Sequence, residues 1–145
     1  MLADRITALG LAETVSLLGM RDDVHELMLN ADILIHPARW EGFGLVLLEA
    51  MRAGLPIVAT GAAAIPEVVA DGVTGILVAP DDPGQLAAAI IELIQDPARR
   101  RKMGAAGFER LKERFSPEQM ARGVATVYDA VLRQREPAAA WDGSR

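Results

Sequence analysis

Glu41 and Glu49 are two carboxylates set on either side of a glycine turn, and the residues between them suit a phosphorylated ligand. Gly42 and Gly44 let the backbone turn tightly and approach a ligand with no Cβ in the way. Residues 45–53 are good helix formers, and Gly54 followed by Pro56 stops the helix. Upstream, residues 32–36 form a short, branched, apolar run closed by Pro37, which predicts a buried strand. Strand, glycine loop and helix in that order leave unbonded N–H groups at the helix start, beyond the carboxyl end of a strand. Open α/β sheets bind phosphorylated ligands there.

Glu49 falls in the second turn of a helix that is apolar on nearly every side. A carboxylate in such a place is solvated at a cleft, paired, or hydrogen-bonded to a ligand, because burying it bare costs too much. A plain surface pair with Arg52, three residues on, accounts for it equally well. Other polar residues have ordinary explanations. His36 ends a strand as a packed or rim residue, His25 is solvated on a polar helix face, and Glu67 caps a short helix behind Pro66.

The elements that must position these groups follow from periodicity and punctuation. Residues 2–9 read as a helix ending at Gly10, and residues 15–18 as a short strand closed by Gly19. Asp23 can cap a helix running to Asn30, with Val24, Leu27 and Met28 on one side. Residues 57–60 are a third strand, Gly61 to Ala64 a loop of small residues, and residues 75–78 a fourth strand after the Asp71-Gly72 turn. Three helices come next, each opened by a capping residue and a proline: Asp82-Pro83, Asp96-Pro97 and Ser116-Pro117. The last carries an apolar stripe of Met120, Val124, Val127, Tyr128 and Val131. The fold class is α/β, a Rossmann-like parallel sheet followed by C-terminal helices over residues 1–135, with 136–145 as a flexible tail.

Composition excludes several functions. A chain of 145 residues without cysteine is one domain's worth, able to bury a core without disulfides and unable to build a thiolate zinc site. Two isolated histidines make no metal cluster. A net charge of −5 opposes a nucleic-acid surface, which needs clustered positive charge. Arg99-Arg100-Arg101-Lys102 is the one basic run, a solvated helix face or else a phosphate or acidic-lipid patch. No apolar run approaches the ~20 residues of a membrane span. The first residues are no signal peptide, so a cytoplasmic location is expected.

Glu41-Gly42-Phe43-Gly44, Glu49-Ala50-Met51 and Gly54-Leu55-Pro56 together resemble the signature of retaining glycosyltransferases of the GT-B fold, family 4 type, in which two glutamates are separated by seven residues. The resemblance runs from about Leu9 to Tyr128 and takes in Leu18-Gly19, Pro66-Glu67-Val68-Val69, residues 71–75 and Phe115-Ser116. It implies the latter part of the C-terminal, donor-binding domain of a hexosyltransferase-type enzyme of carbohydrate biosynthesis. Such an enzyme moves a sugar from a UDP-, GDP- or ADP-sugar to an acceptor. On matching positions, Glu41 is implied as the catalytic carboxylate that meets the transferred sugar. The backbone of Gly42, Phe43, Gly44 and Leu45 would meet sugar and phosphate, Glu49 the ribose, and the Gly19-Met20-Arg21 loop the base. No metal and no cofactor beyond the donor is implied. Gly61 to Ala64 departs from the glycine-rich form often seen at that place, each alanine adding a Cβ.

In the family, an acceptor-binding N-terminal domain and the arginine and lysine that neutralise the diphosphate lie on segments before the position of Leu2. The expected partner is therefore that domain or a complementary chain, and the isolated chain is expected to be inactive. A noncatalytic nucleotide-sugar-binding or assembly module is the alternative. The resemblance also implies a strand order of 3-2-1-4-5-6, with residues 15–18 as strand three and 32–36 as strand four. The first closes up beside the second, two chains pair through the bare edge of the second, or the chain stays partly molten; self-association is expected.

Overall fold

The computed structural model describes residues 1–134. Strands β1 (Leu34–His36), β2 (Ile57–Thr60) and β3 (Gly75–Val78) form one parallel sheet in the order β1-β2-β3. Helices α1 (Leu2–Ala8) and α2 (Val24–Leu29) precede β1, and α3 (Leu45–Arg52) crosses from β1 to β2. A short α4 (Ile65–Val68) follows β2. After β3 come α5 (Pro83–Gln95), α6 (Pro97–Arg114) and α7 (Pro117–Gln134). This is the expected Rossmann-like parallel sheet followed by helices. The proposed tail at 136–145 lies outside the described residues.

β2 is buried along its whole length, and its alternation assigns the two faces. Ile57 and Ala59 pack with Leu47, Ala50 and Met51 of α3 and with Ile65 and Val68 of α4. Val58 turns to the opposite face, where it meets Val78, Ala89 and Leu93 of α5 and Met103 of α6. The proline-led helices start where their caps require. Asp82 and Asp96 each accept a backbone N–H at 2.9 Å, from Gln85 and Arg99, and the Ser116 hydroxyl accepts from Gln119 at 3.3 Å. Gln85 does not reach back to its own cap; its side-chain oxygen accepts from the Ala79 N–H at 3.3 Å. Two members of the basic run are engaged internally. Arg99 pairs with Glu92, and Arg100 donates to the carbonyls of Leu93 and Ile94 at 2.7 and 2.8 Å, closing the end of α5.

Three expectations require correction. Residues 15–18 form no strand, and Val15, Leu17 and Leu18 are exposed. They are extended in type but have nothing to pair with, and a strand exists only through its neighbour. The strand expected over 32–36 is shortened to β1. Asp23 precedes α2 without capping it, because Arg21 takes its carboxylate through two side-chain hydrogen bonds, one of 2.6 Å.

β1 therefore lies at the sheet edge. The Leu34 N–H donates to Pro56 at 3.0 Å, and in this register Leu34 and His36 turn their backbone groups to β2, leaving those of Ile35 facing outward. Ile35 is 43% exposed. A bare edge is a template for another strand. Size-exclusion chromatography with light scattering at micromolar concentration is expected to show species larger than one chain. A cooperatively unfolding monomer would show that the edge is silent.

Candidate functional site

The carboxyl ends of all three strands open on the same side, and Glu41 stands at the end of β1. Its carboxylate has two partners. Oε2 lies 3.2 Å from His36 Nε2, and Oε1 accepts the Phe43 N–H at 3.4 Å. The Phe43 N–H holds the Glu41 carboxyl below its ordinary range. Partial burial pushes the other way, and the His36 bond and the Gly42 N–H add to the lowering. With 27% of its side chain exposed, Glu41 is an ionised group open to a ligand.

Gly44 is the residue before α3 and shapes this turn. It has φ +86°, and a Cβ there would lie 2.7 Å from Leu47 Cδ1 and 3.3 Å from Glu41 Cγ. Both the left-handed backbone and the close approach of Leu47 and Glu41 demand glycine. No side chain caps α3; the Leu47 N–H turns back to the Gly44 carbonyl at 2.9 Å, which leaves the N–H groups of Leu45 and Val46 without an intrahelical or side-chain partner. They add the positive end of the helix dipole to the site.

Loops from the other strands complete the rim. The Ala64 N–H donates to the Glu41 carbonyl at 3.4 Å, and the Gly61 N–H to Val78 at 2.8 Å. Ala63 adopts φ +47°, a backbone that suits glycine, so the alanine-rich loop retains a glycine-like path. The Thr60 hydroxyl donates to the Ala38 carbonyl and ties β2 to the β1–α3 loop. Beyond it, Pro37, Thr60, Ala79 and Leu86 line a recess crossed by the Arg39–Asp81 ion pair of 2.7 Å.

Glu49 occupies a separate recess. It is exposed on α3 and faces α2, sharing the recess with Asp22, Val24, His25, Met28 and Arg52. Among the described residues no ion pair joins Glu49 to Arg52, so the plain surface-pair reading is not realised. Gly19 (φ +66°) turns the chain just ahead of this recess. The Arg21 guanidinium is committed to Asp23, whose carboxyl it lowers, leaving the Arg21 backbone as its free polar part. The structure thus brings Glu41, Gly42, Phe43, Gly44 and Leu45 together at the strand ends. It sets Glu49 on the outer side of α3, with the Gly19–Arg21 loop leading into its recess.

Two residues gain a place that the sequence did not suggest. His36, five residues before Glu41, is its hydrogen-bond partner, and His25 lines the recess of Glu49. A histidine ending a strand immediately before a turning loop was the available signal for the first. For the second, the i, i+3 pattern of α2 gave none. Among the described residues no group of three or more His, Cys, Asp or Glu side chains is arranged to hold a metal, and no helix is long and apolar enough to cross a membrane.

The profile of a family described as "Glycosyl transferases group 1" matches residues 1–110. The lipopolysaccharide core biosynthesis mannosyltransferase LpsB of Rhizobium meliloti is 36% identical over 134 residues, 91% of this chain and 38% of that protein. The structure of Anabaena Alr3699/HepE in complex with UDP aligns with a TM-score of 0.83 at 32% identity, over 89% of this chain and 36% of that one. The C-terminal domain of a group 1 family protein, LpcC from Francisella tularensis, aligns with a TM-score of 0.70 at 28% identity, over 80% of this chain and 61% of that one. This chain spans little more than a third of LpsB and of HepE.

Proposed function

The chain belongs to the glycosyl transferases group 1 family, and from that membership we propose that it provides the donor-binding site of a retaining, family 4 type sugar transferase. The observation that carries this reading is the placement of an ionised Glu41 beside the uncapped start of α3, at the carboxyl ends of the strands. Transfer breaks the bond between the anomeric carbon and the diphosphate oxygen, and the bonding pair leaves with the phosphate. Negative charge grows on that oxygen and positive charge on the sugar ring. We assign the backbone of Gly42, Gly44 and Leu45 to the first, and to the second the Glu41 carboxylate, onto which the Phe43 N–H is turned.

The nucleoside is assigned to the neighbouring recess. Glu49 accepts from the ribose hydroxyls, and the backbone of Gly19 and Arg21 meets the base. HepE has been solved with UDP and with UDP-glucose, which supports a nucleotide sugar as the donor here. No metal or further cofactor takes part in this proposal, and the reaction is placed in the cytoplasm. The acceptor site and the cations that neutralise the diphosphate are assigned to the remainder of the protein, so this chain alone binds donor weakly and transfers no sugar.

The test is titration of the chain with UDP-, GDP- and ADP-sugars, followed by calorimetry and by the backbone amide resonances. One nucleotide series is expected to shift the amides of residues 42–45 together with those around Gly19 and Glu49. Shifts confined to other surfaces, or none at saturating concentration, would overturn the site assignment. Binding that leads to no transfer once the remainder of the protein is supplied would favour the noncatalytic module instead.

A further inference from the structure

Glu41 sits in a closed circuit of contacts that passes through the junction of α6 and α7. Phe115, between those helices, meets Phe43 edge to face, with ring centroids 6.2 Å apart and planes at 70°. The Arg110 guanidinium stands over the Phe115 ring at 5.8 Å. The same guanidinium donates from Nε to the Val68 carbonyl and from Nη2 to the Glu67 carbonyl, both at 2.8 Å, and so holds α4. α4 continues from Ala64, whose N–H reaches the Glu41 carbonyl. One arginine therefore restrains both loops that flank the carboxylate, one through α4 and Ala64, the other through Phe115 and Phe43.

The second arm matters because of where Phe43 lies. It stands between two glycines, the most permissive backbone neighbours available, and the residue is 46% exposed. Its N–H is nonetheless the group that lowers the Glu41 carboxyl most, ahead of the His36 ring and the Gly42 N–H. Gly44 packs against Leu47 and Glu41 on one side of this loop, and the Phe115 ring adds a restraint on Phe43 itself from outside it.

We propose that Phe115, held by Arg110, is a positioning residue for Glu41, keeping the Phe43 N–H on the carboxylate and linking the α6–α7 junction to the site. Its catalytic meaning rests on the transferase reading above; the coupling itself is a property of the ligand-free chain and is tested there. Phe115→Leu keeps apolar volume and loses the aromatic edge, whereas Phe115→Tyr keeps both. Amide exchange of Phe43 and NMR titration of the Glu41 carboxyl are the readouts, with β2 amides reporting global stability.

Phe115→Leu is expected to speed Phe43 exchange roughly two- to tenfold, the range that losing one modest hydrogen bond allows. The Glu41 midpoint should rise toward the ordinary carboxyl value, with β2 exchange unchanged. Phe115→Tyr should match the parent in both. Unchanged Phe43 and Glu41, or a uniform rise in exchange across the sheet, would overturn the proposal. If Phe115→Leu fails to fold, Phe43→Leu tests the pair from its exposed end, with the same rise in Glu41 expected and an unmoved Glu41 decisive against it. The nucleotide-sugar titration of the parent chain stands apart. A moved Glu41 without donor binding sinks the transferase reading alone, and donor binding with an unmoved Glu41 sinks the positioning role alone.

Discussion

Glu41→Ala in the intact enzyme is expected to lower turnover by roughly 10²-fold, with nucleotide affinity little changed. Glu49→Ala is expected to do the reverse, weakening nucleotide binding by ~1.5–3 kcal/mol, the loss of a charged hydrogen-bond partner, or roughly 10- to 150-fold in Kd. The split follows from the roles proposed above and from where the two carboxylates lie. Glu41 lies at the strand ends beside the glycine loop, whereas Glu49 lies around α3 in the recess shared with α2. Interactions made only in the transition state appear in turnover, and those made equally in ground state and transition state appear in affinity. Steady-state kinetics and nucleotide titration of both variants measure it, and unchanged kinetics in both would sink the two assignments together.

The pH dependence carries the same logic. Glu41 is held below the ordinary carboxyl value of 4.5, chiefly by the Phe43 N–H. It is therefore ionised throughout the neutral and mildly acidic range. Because its folded value is depressed, its contribution to stability is complete above the unfolded value and lost as pH falls through the folded one. An acid limb of activity caused by Glu41 belongs below 4.5. A limb near neutrality would have to come from another group.

What the sequence revealed and what it hid divide along the range of the interactions. β2 and β3 occupy the residues expected, because short branched runs between glycine and proline are read locally. The three proline-led helices start where expected, since a cap and the N–H that donates to it lie three residues apart. Val15, Leu17 and Leu18 have strand chemistry but no neighbour, and pairing depends on residues far away in the chain. The Glu41 loop was legible as a glycine turn between strand and helix. Its bond to His36 was not, because the path of a loop with two glycines is not encoded in spacing. Arg110 was hidden most completely. Its acceptors are carbonyls 42 and 43 residues away, and carbonyls carry no side-chain signature.

Gly104→Ala is expected to destabilise the fold by about 2–3 kcal/mol, at the upper end of what overpacking costs. In an exposed helix interior the same change would stabilise by about 1 kcal/mol, because alanine is the better helix former. Here the sign reverses. Gly104 is buried in the middle of α6, and an added Cβ would overlap the Gly54 carbonyl oxygen and stand 2.8 Å from its carbon. That obstacle is backbone at the turn that ends α3, so it cannot swing aside as a side chain would. Gly107, one turn on, makes the useful contrast. A Cβ there would approach Met51 Cγ at 3.3 Å, and methionine is flexible enough to give way. Urea unfolding of both variants should show a lowered midpoint for Gly104→Ala and little change for Gly107→Ala. A Gly104→Ala chain as stable as the parent would mean that α6 and α3 are not in backbone contact. The consequence reaches the site, because α3 carries Glu49 and α6 carries Arg110. Pushing the two helices apart at Gly54 moves both the recess of Glu49 and the support of the Glu41 loop.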